Sequence, residues 1–353
     1  MKSSDERAIE LKKKLPFVNA SDNTVMVPGL WWAPHFDESY IAKLQEGGIT
    51  AILATQVCWF YDTTLDAFRR LSHLHEFLAR HDDSLRLVTS ADDLEEVTNN
   101  RKIGIIVQFH NSLMLENSLG HLDMFFKLGL RAMQLTYQEK NSVATGNGEK
   151  NDEGLSKFGM RVIERMNELG IVVDLSHAGP KSYSDALEIC KVPPIVSHSC
   201  ARGACNHVRN LTDDQIKALA EKGGVLGIMA KSFMLKPNGA YEGTTIQDFV
   251  NHIDYVSKLV GVDHVGIGLE NGYGRNELEM RILPFYHPEV VGAITPTGKY
   301  DFERFYSAAG LMDMSAAKLN IMRELVNRGY SDGEIGKIIG QNFLRVFREI
   351  WKT

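Results

Sequence analysis

The chain has 353 residues, of which 44% are hydrophobic and 24% charged, and its formal net charge is −6. That is the composition of a folded globular protein. Acids and bases are interspersed, which argues against a nucleic-acid partner, since that would call for a basic patch.

The N-terminal stretch MKSSDERAIELKKKLPF is charged and lacks an apolar core segment, so no secretory signal is expected. No run of about 18 apolar residues occurs, so no membrane span is expected. Cys58, Cys190, Cys200 and Cys205 form no CxxC pair and read as free thiols in a reducing compartment. A cytoplasmic location follows as the expectation.

Along the chain, short β-branched apolar runs alternate with helix-like runs. The predicted strands are 24–30, 49–55, 102–109, 131–137, 171–176, 193–198, 224–229 and 264–269. Nearly unbroken apolar character suits strands covered on both faces, as in parallel sheets. Helix-like segments occupy 64–81, 158–170 and 212–224, the second stopping at Gly170 and the third starting at Thr212. Beyond residue 314 the pattern is helical again. Eight strands alternating with helices predict a (β/α)8 TIM barrel with extra C-terminal helices, one domain over 1–353. A doubly wound sheet is the runner-up.

Two predicted strands end alike. VVDLSH ends in Ser176-His177 and PPIVSH in Ser197-His198. In a parallel barrel, residues closing the strands point into the active site. Histidines on adjacent strand ends suit one divalent metal such as zinc. The bland reading is a pair of hydrogen-bonded strand-end histidines; the repeat of Ser-His favours the metal.

The stretch from FGMRVIERMNELG through VVDLSHAGPKSYSDALEICKVPPIVSHSCARGACNHVRN to KGGVLGI resembles the renal (membrane) dipeptidase family of metallopeptidases. VGVDHVGIGLENG and GYSDGEIGKIIGQNFLRVFREIW share the resemblance, which runs from about residue 102 to the C-terminus. It implies an amidohydrolase-like barrel. The family's two-zinc dipeptidases bind one zinc through the histidines matching His177 and His198. It implies that Arg209, in NHVRN, holds a substrate carboxylate, and that Glu270, in GIGLENG, takes part in proton transfer. Asn210 beside Arg209 is expected to shape the rim. Members often pair, so a homodimer is the expected assembly.

Three departures from the family pattern stand out. The first strand should end in DGHND, whose His and Asp hold the other zinc; the matching segment is read as PGLWWAP, with Leu30 and Trp32 at the ligand positions. His35 and Asp37 restore a His-x-Asp spacing, displaced by five residues, and read as loop. In the third strand Gln108 replaces a glutamate that bridges both metals. In the fourth, Tyr137 replaces a histidine that stabilises the oxyanion, and a phenol can still donate there. The LTYQEKN…GNGEKNDEGLSKFG segment resembles a bacterial branch that also carries the glutamine and the tyrosine.

The resulting expectation is a single-metal, dipeptidase-like hydrolase acting on a dipeptide or other small carboxylate-bearing amide. The metal is expected to be zinc. His177 and His198 are the metal ligands, with Glu270 or Gln108 as a third. Glu270 and Tyr137 are the catalytic residues. Arg209, Gln108, Asn210 and Trp32 line the substrate, with Trp31 and Trp32 as an aromatic wall or plain packing. The segment 271–312 is a lid or a subunit contact. The alternative is a metal-free barrel that binds a small carboxylate metabolite or performs a non-hydrolytic acid–base step.

Overall fold

The computed structural model describes residues 3–23, 37–57, 62–100, 102–237, 243–270 and 308–351. Among these residues nine parallel strands build the sheet. They are β1 (Val18–Asp22), β2 (Ala51–Val57), β3 (Leu85–Leu87), β4 (Ile103–Phe109), β5 (Leu130–Gln134), β6 (Val172–Asp174), β7 (Ile195–Ser199), β8 (Val225–Ile228) and β9 (Val265–Ile267). The pairing order is β1-β2-β4-β5-β6-β7-β8-β9, with the short β3 added beside β4. The seam between β9 and β1 is bridged just past the strand end. There Leu269 N donates to Asn19 Oδ1 at 2.9 Å and Glu270 N to Ser21 O at 3.0 Å. The result is the expected (β/α)8 barrel.

The first strand differs from the sequence expectation. It is Val18–Asp22, and the run 24–30 lies outside the described residues. Trp31, Trp32 and His35 lie outside them too. The strand was hidden because VNASD has no apolar run, although all five residues are buried.

Side chains at i, i+2 and i+4 of a strand share a face, so the barrel interior can be read in layers. Val18 and Ala20, Ala51 and Leu53, Ile106, Ala132, Val172, Ile195 and Val225 form one apolar cluster with Phe343, Leu344, Val346, Phe347 and Trp351. The helix Asn342–Ile350 thus plugs the end of the barrel from which the strands start. One step further along the same rows come Asp22, Thr55, Gln108, Gln134, Asp174 and Ser197, all fully buried. The interior turns polar toward the strand ends, where barrel enzymes keep their chemistry.

A larger apolar cluster fills the space between strands and helices. The predicted helices appear as Thr64–Arg80, Lys157–Leu169 and Asp213–Glu221. Gly170 stops the second with φ of 75°, a left-handed conformation that only glycine adopts without strain. Thr212 caps the third by a reciprocal pair of hydrogen bonds with Gln215. At the C-terminal side Met314–Asn327 and Asp332–Gly336 lead through a π-helical turn, Lys337–Gln341, into the barrel plug.

Candidate metal centre

The two Ser-His pairs meet. Ser176 Oγ lies 3.2 Å from Ser197 Oγ and accepts from His198 N at 3.2 Å. Ser197 Oγ contacts His198 Nδ1 at 2.7 Å, which sets the ring's tilt. The outward nitrogens then face each other, with His177 Nε2 and His198 Nε2 3.1 Å apart. Gly227 and Gly268 make room for this, since a Cβ on either would strike the Ser197 carbonyl.

Both imidazoles are buried. Burial, reinforced by the Arg209 charge on His177 and by His110 and Arg209 on His198, pushes both well below the usual histidine pKa. They are neutral, with lone pairs available. Bonds of about 2.0–2.1 Å to zinc at a near-tetrahedral angle separate two nitrogens by roughly 3.1–3.4 Å, and the observed spacing falls there. Glu270 offers a third donor. Its Oε1 is 3.9 Å from His198 Nε2, and one atom each from His177, His198 and Glu270 lie within 4.8 Å of one another. His177 and Glu270 both have left-handed backbones, φ 67° and 55°. Such conformations in non-glycine residues are uncommon and gather at functional sites.

Among the described residues no second set of donors suits another ion. The strand 1 end carries Ser21, Asp22 and Asn23 instead of histidine and free carboxylate. Asp22 Oδ2 is bound by the Tyr40 hydroxyl and by Asn19 Nδ2. Asn23 Nδ2 donates to Glu270 Oε1 at 3.4 Å. The Gln108 amide is engaged at both ends, donating to Asp174 Oδ2 at 2.7 Å while its Oε1 lies 3.2 Å from His110 Nε2. Gln108 is therefore not placed as a third ligand. Asp37 caps the helix Glu38–Gly47, accepting from Tyr40 N and Ser39 Oγ, and is no metal ligand here.

The remaining expected residues surround the histidines. Tyr137 stacks on His177 with centroids 4.3 Å apart. Arg209 is buried, donates from Nη2 to His198 O at 3.1 Å, and feels the Glu270 charge. Among the described residues it makes no ion pair within 4.0 Å, so its charge is uncompensated by direct contact. Asn210 does something other than line the rim. Its Nδ2 donates to Cys205 O at 2.8 Å and Met234 O at 3.0 Å, tying the Arg209 loop to the loop after β8. Trp32 lies outside the described residues, as does most of 271–312.

Sequence reasoning missed Asp174 and His110. Asp174 Oδ1 accepts from Ser176 N and Ser197 N, both at 3.0 Å, and burial raises its pKa. A period-2 reading would have found both: Asp174 precedes Ser176 by two, and His110 follows Gln108 by two.

A barrel of this form, with paired histidines and an acid at its strand ends, carries a candidate metal centre. The model of the membrane dipeptidase family, peptidase family M19, matches residues 15–279, and the chain belongs to that family. It is 29% identical over 293 residues to Dipeptidase verJ of Clonostachys rogersoniana, covering 82% of this chain and 66% of that protein. The next two curated relatives are matched over about half of their own length, 48% and 50%. An amidohydrolase from Pseudomonas aeruginosa superposes with a TM-score of 0.84 at 26% identity, over 98% of this chain and 99% of that one. A metallopeptidase from Rhodobacter sphaeroides, bound to a phosphinate mimic of L-Ala-D-Ala, shares the fold with a TM-score of 0.78 at 18% identity, over 96% and 100% of the chains. Among the described residues no helix is long and apolar enough to cross a membrane.

Proposed function

We propose that this protein is a one-metal hydrolase of small carboxylate-bearing amides, dipeptides included. The observation that carries the reading is the trio His177, His198 and Glu270, set beside a Gln108 amide already committed to its neighbours. Three protein donors with an open position is the arrangement of catalytic zinc sites. When bound, the divalent ion lowers the pKa of a water and polarises a carbonyl.

The chain's own residues supply the rest. Arg209 clamps the substrate carboxylate, for which its fork of N–H donors is suited. That anion would compensate the buried guanidinium. Glu270 would hold the metal together with His177 and His198, and its carboxylate would also accept a proton from water. The Tyr137 hydroxyl donates to the oxyanion that forms at the attacked carbon. Tyr137, His177, His198 and Glu270 sit just past or at strand ends, and Arg209 on the loop after β7.

L-Ala-D-Ala, whose phosphinate mimic the Rhodobacter sphaeroides protein binds, is the first dipeptide to assay. Hydrolysis abolished by a chelator and restored by one equivalent of zinc supports the proposal. Turnover that persists after chelation refutes it and favours metal-free acid–base chemistry.

A further inference from the structure

His110 belongs to none of the motif positions above, yet it stands within the site. It continues the inward row of β4 past Gln108. It is fully buried, and its ring stacks on His198 at 4.8 Å and 24°. Its Nε2 lies 2.9 Å from Thr55 Oγ1 and 3.2 Å from Gln108 Oε1. Its Nδ1 is buried and meets no hydrogen-bond partner among the described residues.

The neighbours decide which nitrogen bears the hydrogen. Two backbone N–H groups occupy Asp174 Oδ1, and Oδ2 accepts from Gln108 Nε2. That bond turns the amide so that its oxygen faces His110. An amide oxygen only accepts, so His110 Nε2 carries the hydrogen, and the other nitrogen of a neutral ring is then a bare acceptor. The ring is fully buried with no carboxylate against either nitrogen among the described residues, and a buried imidazole without an anionic partner is neutral. Asp174, Gln108 and His110 thus form one chain ending in an unmatched acceptor. Such buried orphans are rare enough to need a reason.

We propose that His110 Nδ1 is a substrate-recognition atom that accepts a hydrogen bond from an N–H of the molecule whose carboxylate Arg209 holds. This rests on the functional reading above and narrows its substrate class. Amides with a secondary nitrogen near the carboxylate fit, and N-alkylated ones do not.

The test uses the metal-loaded protein labelled with 15N in its histidine rings, titrated with N-acetylglycine and with N-acetylsarcosine, which lacks the N–H. The free protein should show His110 protonated on Nε2, with the signal assigned by its loss in His110→Phe. N-acetylglycine should shift the Nδ1 resonance and bind about tenfold more tightly than N-acetylsarcosine, the worth of one hydrogen bond. His110→Phe keeps the stacked ring and should remove the discrimination, while His110→Asn, which can place an amide oxygen near the Nδ1 position, should restore part of it. A proton on Nδ1 in the free protein, no shift with N-acetylglycine, or discrimination that survives in His110→Phe overturns the inference. No step needs turnover, so a failure to hydrolyse dipeptides would fall on the functional proposal and leave this result readable.

Discussion

Gln108 Nε2 donates to Asp174 Oδ2 at 2.7 Å, with both residues fully buried inside the barrel. A neutral amide is thereby matched to a carboxylate at the place where the family's dipeptidases are expected to carry a metal-bridging acid. Gln108→Glu would set two carboxyl groups against each other in a dry site, where both cannot ionise. The new acid's folded pKa would lie above its unfolded value. The folded state would then bind more protons, so stability would fall as pH rises through that folded pKa. We expect a loss of about 2–4 kcal/mol at pH 8, largely recovered near pH 5, in urea unfolding. The wild type should show a smaller recovery, because there only the raised pKa of Asp174 acts. Equal stability of variant and wild type at pH 8 would contradict the pairing.

Ser197 Oγ touches His198 Nδ1 at 2.7 Å. Partners of this kind orient a ligand imidazole, and losing one typically costs about 10–100-fold in metal affinity. Ser197→Ala should give up zinc to a competing chelator that much more readily, with an unchanged circular dichroism spectrum. Unchanged affinity would show that the tilt of His198 is set elsewhere.

Arg209 is a buried cation with no ion-pair partner among the described residues. Arg209→Met removes that charge while keeping the stem. The account expects stability within about 1 kcal/mol of wild type or above it. The KM for a dipeptide should rise at least about tenfold with a smaller change in kcat. A fall in kcat at unchanged KM would show that Arg209 does not bind ground-state substrate.

Lys318 illustrates linkage away from the site. Its Nζ is buried and donates to Leu15 O and Gly48 O, both at 2.8 Å. Burial, with some repulsion from Lys12, pushes its pKa from 10.5 down to about 7. Between those values the unfolded chain binds the extra proton, so this group makes stability rise with pH from about 7 to about 10. Lys318→Met should flatten that rise in a pH series of unfolding midpoints. An unaltered slope would mean that another group is responsible.

The barrel was legible because its strands are apolar on both faces, and the histidine pair because Ser-His closes two of them. What stayed hidden was polar and inward. The β1 residues Asn19, Ser21 and Asp22 are buried and polar, bonded to Leu269, Glu270 and Tyr40, which leaves no apolar signature, so the run at 24–30 looked the better strand. His110 was passed over because it lies one residue past the end of β4 at Phe109. The job of Asn210 could not be read from its place beside Arg209, because Met234 approaches it only in three dimensions.

The central claim is a single metal on His177, His198 and Glu270. It is tested most directly by elemental analysis of protein saturated with zinc and then desalted, beside the His177→Ala/His198→Ala double variant. The account predicts about one ion per wild-type chain and none in the variant. Two tightly held ions per wild-type chain, or one retained by the variant, would contradict it.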